Sequence, residues 1–163
     1  MDLSAPLRSL FPSVDSDVLS VLAGSTKPRT GREVSRLADR SQAATQRVLD
    51  RLVDHGIVLR TDAGRSRVYQ LNRGHLAAEP IEELASLRQG LFGHLRHTLG
   101  LWEPMPLHLS IFGSAARGDG GPESDIDIFL VRPRAVAGDD EDWRRKIDGL
   151  AELIFQWTGN HAG

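Results

Sequence analysis

The chain has 163 residues, 40% of them hydrophobic, with 20 Lys/Arg against 22 Asp/Glu, a formal net charge of −2 and no cysteine. These values exclude a disulfide framework, a thiolate metal site and a disordered chain, and they permit one domain or two small ones. No stretch approaches membrane-spanning length, and Met1-Asp2-Leu3-Ser4-Ala5-Pro6 lacks a basic region followed by an apolar run, so a cytoplasmic, bacterial-type protein with no membrane partner is expected.

Charge is divided unevenly. Residues 1–77 carry twelve Lys/Arg against eight Asp/Glu, whereas the remainder carries eight against fourteen, so the two parts are expected to meet different partners. In the basic part the pattern predicts three helices and a hairpin. Asp15-Ser16-Asp17 precedes Val18, Leu19, Val21 and Leu22, a short helix that Gly24 ends. Thr30 with Glu33 three residues on forms a capping box and opens a helix with Val34, Leu37 and Ala38 inward. Ser41 caps a longer helix with Ala44, Val48, Leu49, Leu52 and Val53 inward, closed by His55-Gly56. Residues 57–60 and 66–71 then read as strands around Asp62-Ala63-Gly64-Arg65, a hairpin with glycine in its turn.

Over residues 12–73 this order resembles the winged helix-turn-helix of bacterial repressors of the MarR/ArsR type. The resemblance implies binding of double-stranded DNA, with the third helix in the major groove and its first residues at the bases. Gln42, Ala43, Thr45, Gln46 and Arg47 occupy that region and offer amide, hydroxyl, methyl and guanidinium groups suited to base edges. Arg65 and Arg67 on the wing, with Arg32 and Arg40, are expected at phosphates or in a minor groove. A solvated charged face on a protein-binding winged helix is the alternative.

Between the halves, Ile81, Leu84, Leu91, Leu95 and Leu99 recur on one face and predict a single linker helix over 78–104, a candidate homodimer contact. His94 and His97 lie three apart but have no further ligands in register, so they read as polar-face or interdomain residues.

The stretch from Leu107 to Val131 reads as chemistry. Leu107-His108-Leu109-Ser110-Ile111-Phe112 predicts a strand running into the turn Gly113-Ser114, where bare backbone N–H groups and a short hydroxyl can approach a phosphate. After a Gly/Pro-rich loop, Ser124-Asp125-Ile126-Asp127-Ile128-Phe129-Leu130-Val131 predicts a second strand. Period two puts Asp125 and Asp127 on one face, roughly 6–7 Å apart along the chain. Two like charges beside an apolar sheet call for a compensating cation or basic group, and magnesium suits hard carboxylate and phosphate oxygens.

Gly-Ser, a spacer containing Arg117-Gly118-Asp119, then Ser-Asp-Ile-Asp resembles the signature of polymerase-β-like nucleotidyltransferases, most closely their minimal prokaryotic branch. The resemblance covers residues 105–158. It implies Gly113 and Ser114 for the triphosphate, Ser124 beside them, and Asp125 and Asp127 as catalytic ligands of two Mg²⁺ ions, with ATP or another NTP as substrate. Arg117 would neutralise a phosphate or brace an Asp carboxylate, and Asp119 could equally be a turn residue accepting backbone N–H bonds. The family's third carboxylate lies on a later strand, and the chain ends at Gly163 before one is expected, so the C-terminal part of that domain is expected to be absent and apolar sheet surface to be left exposed. Asp139-Asp140-Glu141-Asp142 opens a last helix with Trp143, Ile147, Leu150, Ile154 and Trp157 inward, stopped by Thr158-Gly159-Asn160.

The sequence thus predicts an α+β protein: a winged helix-turn-helix over 1–77, a linker helix over 78–104, and a nucleotidyltransferase-like mixed sheet with flanking helices over 105–163. The expected reaction is transfer of a nucleoside monophosphate to a hydroxyl of a protein, such as a partner toxin, or of a small molecule. The competing expectation is a transcriptional regulator or antitoxin whose transferase-like domain binds nucleotide or partner without turnover.

Overall fold

The computed structural model describes residues 1–64, 66–118, 121 and 123–163. They form two compact units, Ala5–Leu87 and Met1–Ser4 with Arg88–Gly163.

The first unit runs α1 (Pro6–Leu10), α2 (Val14–Ala23), β1 (Arg29–Thr30), α3 (Gly31–Leu37), α4 (Gln42–Asp54), β2 (Val58–Ala63), β3 (Ser66–Leu71) and α5 (Ala78–Ala85). Local chemistry sets most of these boundaries. Ser13 and Ser41 accept from the amides of Ser16 and Ala44, and Thr30 and Glu33 make the reciprocal capping box. The Glu33 carboxylate takes both the Thr30 amide and its hydroxyl at 2.8 Å. Those bonds, backbone first, hold the Glu33 carboxyl below the usual carboxylate range.

The sheet order is β1-β3-β2, all antiparallel, with Val58 opposite Leu71 and Ala63 opposite Ser66 across the hairpin. Gly64 turns the hairpin in the left-handed region at φ +62°. Three helices backed by this small sheet form a winged helix-turn-helix. Its core joins Val18 and Leu22 of α2, Val34 of α3, Leu49 and Leu52 of α4, and Tyr69 and Leu71 of β3. Leu37, expected inward, is 47% exposed, because the short α3 turns Val34, Ser35 and Ala38 to the core and leaves its last residue outside that stripe.

Asp17 is buried in this unit. Its two oxygens accept from Arg8 Nε at 2.7 Å and Arg40 Nε at 2.6 Å, so the charge is matched on both sides.

The single linker helix expected over 78–104 is instead two helices, α5 in the first unit and α6 (Leu87–Gly100) in the second. Ser86 ends α5. Its amide bonds to the carbonyls of Glu82 and Glu83 and its hydroxyl to that of Glu83, a local alternative to continuing the helix. Ala78 and Ile81 therefore pack on the first core, whereas Leu91, Leu95 and Leu99 join the second.

The second unit continues with β4 (His108–Ile111), α7 (Gly113–Arg117), β5 (Ile128–Val131) and α8 (Glu141–Thr158). β4 and β5 pair antiparallel, Ile111 opposite Ile128, and a parallel bridge joins Ile126 to Ala162, so the pairing is mixed. Asp140 caps α8 through the Trp143 amide at 2.8 Å, and Gly159 closes it at φ +72°. Trp143, Leu150 and Ile154 face the core, and Trp143 meets Trp102 edge-on at 5.5 Å. Ile147 is 42% exposed rather than inward. With Phe129 and Leu130 it lines an open apolar groove of about 400 Å³ along β5. Residues 1–4, expected with the winged helix, belong to this unit through the buried Leu3. Among the described residues no helix is long and apolar enough to cross a membrane.

Candidate active site

The site is built where β4 meets α7. Phe112 is extended, and its amide donates to the Asp127 carbonyl at 3.0 Å, which fixes the turn against the aspartate segment. Gly113 then adopts φ +63°. A Cβ there would overlap the Asp127 carboxylate and lie 3.0 Å from its Cγ, so glycine is required both for the backbone and for the close approach. Ala115 is buried and pins α7 to the core, leaving Ser114 half-buried beside the turn. Gly118, at φ +76°, ends α7 by donating its amide to Ser114 O at 2.9 Å. Arg88 braces the same turn, since Nη2 donates to the Ala116 carbonyl and Nη1 sits 2.8 Å from where a Gly118 Cβ would be.

The expected second strand begins later than the sequence suggests: β5 starts at Ile128, so Asp125 and Asp127 stand just before the regular ladder. Their segment is held by another strand-like run instead. The Ile126 amide donates to His161 O at 2.8 Å, the Gly163 amide to Ile126 O at 3.1 Å, and the Ile128 amide to Gly163 O at 2.9 Å. Ile126 is buried, with Asp125 exposed and Asp127 half-buried on either side. A Cβ at Gly163 would stand 3.2 Å from Asp127 Oδ1 and 3.8 Å from Asp125 Cβ, so both aspartates lie on one face around position 163.

Ser124, just before them, is held by two bonds. Ser124 Oγ accepts the Gly121 amide at 2.9 Å, and Ser124 O accepts Asn160 Nδ2 at 3.0 Å. Asn160 Oδ1 in turn accepts the Met1 amine at 2.6 Å, and the same amine donates to Thr158 O at 2.8 Å.

Gly113, Ser114, Ser124, Asp125 and Asp127 are thus brought to one place. Arg117 is exposed on the last position of α7, and Asp119 lies outside the described residues. Two carboxylates on one face beside the Gly113-Ser114 turn suit magnesium, which needs only one or two protein carboxylates when substrate phosphates complete its shell. Among the described residues no cluster of three or more His, Asp or Glu stands ready for a metal. Met1–Ser4, Arg88, Asn160 and residues 161–163 all support the site, and no local sequence signal marks any of them.

In the winged helix, Arg32, Gln42, Ala43, Arg47 and Arg67 are exposed. Thr45 requires a correction: it is fully buried, its hydroxyl has no hydrogen-bond partner among the described residues, and it cannot meet a base edge. The reason is its place one turn before Leu49, on the core stripe of α4. Gln46 is engaged within the unit, its Nε2 donating to Asp50 Oδ1 at 2.8 Å and to the Tyr69 hydroxyl at 3.0 Å. Arg40 is held by Asp17, and Arg65 lies outside the described residues.

Comparison with known proteins adds the following. The chain is similar to the crystal structure of the adhesin competence repressor (AdcR) from Streptococcus pyogenes, 17% identical, with a TM-score of 0.41 over 60% of this chain and 75% of that one. It is also similar to a probable transcriptional regulator from Pseudomonas aeruginosa, 22% identical, with a TM-score of 0.33 over 58% and 86% of the two chains. No curated protein matches. A family model described as nucleotidyltransferase domain matches residues 101–158, a span that holds the Gly113-Ser114 turn and both aspartates.

Proposed function

We propose that the second unit transfers a nucleoside monophosphate from an NTP, with ATP the first to test, to a hydroxyl, and that the winged helix directs the protein to double-stranded DNA. The observation that carries the first half is the Asp127 carboxylate lying against Gly113, with Asp125 on the same face. Phosphates at the Gly-Ser turn and magnesium at the carboxylates would then be neighbours.

In this reading the Gly113 turn and the Ser114 hydroxyl hold phosphate oxygens, and Arg88 keeps the turn in place. Asp125 and Asp127 would hold the Mg²⁺ ions. When bound, these ions bring the α-phosphorus and acceptor together and stabilise charge on the attacking and leaving oxygens. The acceptor oxygen forms a bond to the α-phosphorus, and the bond to the departing pyrophosphate breaks.

The DNA half rests on the exposed Arg32, Arg47 and Arg67 around the start of α4 and the wing, in a part of the chain with twelve basic against eight acidic residues over 1–77. Such charges give affinity, and Gln42 and Ala43 are left to face base edges. A homodimer on paired half-sites accords with this geometry.

The test of the whole is incubation with an α-labelled NTP and Mg²⁺, with cell lysate as acceptor source. Label transferred to a macromolecule or small molecule, and abolished by Asp125→Asn with Asp127→Asn, supports the transferase. Nucleotide binding without transfer, together with DNA binding, favours the second reading, a regulator or antitoxin that neutralises a toxin partner by contact. The exposed apolar groove along β5 is the observation that favours such a contact.

A further inference from the structure

The N-terminal segment reaches the proposed transfer site. Leu3 is buried in the core of the second unit, and Asp2 and Ser4 flank it at the surface. A cavity of about 10 Å³, roughly one water's worth of space, is lined by Ser4 together with Ser114, Gly118, Ser124 and Asp125. Three hydroxyls therefore border the space next to the turn. Ser114 and Ser124 are half-buried, and Ser124 already accepts the Gly121 amide. Ser4 is exposed, and its Oγ donates to Asp2 Oδ1 at 2.5 Å. The Ser4 amide donates to the same oxygen at 2.8 Å, which fixes the carboxylate beside the hydroxyl.

We propose that Ser4 is a nucleotide acceptor: the protein nucleotidylates its own N-terminal segment on Ser4 Oγ, with Asp2 receiving the proton. This rests on the nucleotidyl-transfer reading of Asp125, Asp127 and the Gly113 turn. Ser4 Oγ forms a bond to the α-phosphorus of a bound NTP, the bond from that phosphorus to the β-phosphate oxygen breaks, and pyrophosphate leaves with the electron pair. The hydroxyl proton goes to the Asp2 carboxylate. The product is a phosphodiester between Ser4 and the nucleoside, and no oxidant or further reactant is needed. A carboxylate in hydrogen-bond reach of an attacking hydroxyl contributes about 10²–10⁴-fold as a general base, so Asp2 supplies from this chain the proton acceptor the step requires. Modification would also place a charged, bulky group where Ser4 now lines the cavity, so the first transfer would limit the next.

The experiment uses the full chain with ATP and Mg²⁺. Intact mass is expected to rise by one nucleoside monophosphate, and peptide mapping to place it on Ser4. Ser4→Ala, a change at an exposed side chain, should abolish the gain, and Asp2→Asn should slow it by at least about tenfold. A readout independent of turnover is the amide spectrum with Mg²⁺ and the α,β-methylene analogue of ATP. The amides of Asp2 and Ser4 should move together with those of Ser114 and Asp125. Mass gain on another residue, gain that persists in Ser4→Ala, or bound analogue with unmoved Asp2 and Ser4 amides overturns the proposal. Absence of analogue binding overturns the nucleotidyl-transfer reading itself and this inference with it.

Discussion

The two units are held together in opposite ways. In the winged helix the starts of α2, α3 and α4 and the hairpin turn are set by residues a few positions away: Ser13 with Ser16, Thr30 with Glu33, Ser41 with Ala44, Gly64 in its hairpin. In the second unit the site is closed by partners far apart in sequence, the Met1 amine on Thr158 and Asn160, and His161 and Gly163 on Ile126 and Ile128. The lesson is that a fold can be written in short-range signals while a site is assembled by long-range ones, and the two respond to different mutations.

The sharpest way to separate them is at the aspartates. Asp125→Asn with Asp127→Asn should cut label transfer at least a hundredfold, on the scale of losing a preorganised charge-stabilising group (~10²–10³), while DNA affinity by gel shift stays unchanged. Loss of DNA binding in the same variant would erase the distinction between the units. Next is Gly113→Ala, which combines a Cβ overlap on Asp127 with a left-handed backbone that costs roughly 1–2 kcal/mol for a residue with a side chain. It should lose transfer almost as fully as the aspartate pair, because the added methyl displaces Asp127 itself.

The converse test lies in the first unit. Asp17→Ala removes two charge-assisted hydrogen bonds from a buried carboxylate, and denaturant melting of the winged helix should show a loss of about 2–3 kcal/mol. The two arginines can reach water, which keeps the cost below that of a fully enclosed pair. Transfer activity should persist under conditions where DNA binding is weakened.

How much was legible in the sequence follows the same division. Capping chemistry and period-3.6 stripes predicted α2, α3, α4 and α8, and strand-forming runs around a glycine turn predicted the hairpin, because those signals act within a turn or two. The Gly-Ser turn and the aspartate pair were legible as a constellation for another reason, since residue types and spacing marked them out, and the structure brings them to one place. What was missed needs distant partners or exact packing. The two-residue β1 exists only because it pairs with Tyr69 and Val68. Thr45 looked like a surface reader because its hydroxyl is polar, yet its position on α4 put it in the core. The break at Ser86 was hidden by leucines that continue the pattern on both sides while packing on different cores.

Smaller effects refine the picture of the basic face. Arg47→Ala and Arg67→Ala should each weaken DNA binding across sequences and lower the salt slope by about one if each meets one phosphate. An unchanged slope in both variants would remove these residues from the DNA interface. The smallest expected effect is at the capping box. Thr30→Ala should cost about 1 kcal/mol, the usual value of a lost N-cap. Because the folded-state pKa of Glu33 is depressed below 4.5, its contribution to stability is present above its unfolded value and is lost as pH falls through the folded one. Melting followed from neutral to acidic pH should therefore show less acid sensitivity in Glu33→Gln than in the unmodified chain.

The bond from Gln46 to the Tyr69 hydroxyl bears on information rather than stability. That amide joins α4 to β3 of the wing and is already occupied within the unit. With Thr45 enclosed as well, and Arg47 assigned to the phosphate backbone, Gln42 and Ala43 are the described residues among the expected base readers left for base edges. On the proposed DNA reading, so few readers would resolve only a few base pairs, and a selection experiment on random duplexes should return a short, degenerate motif. Uniqueness within a genome would then come from repetition of that motif at fixed spacing, with two copies of the protein reading one address together.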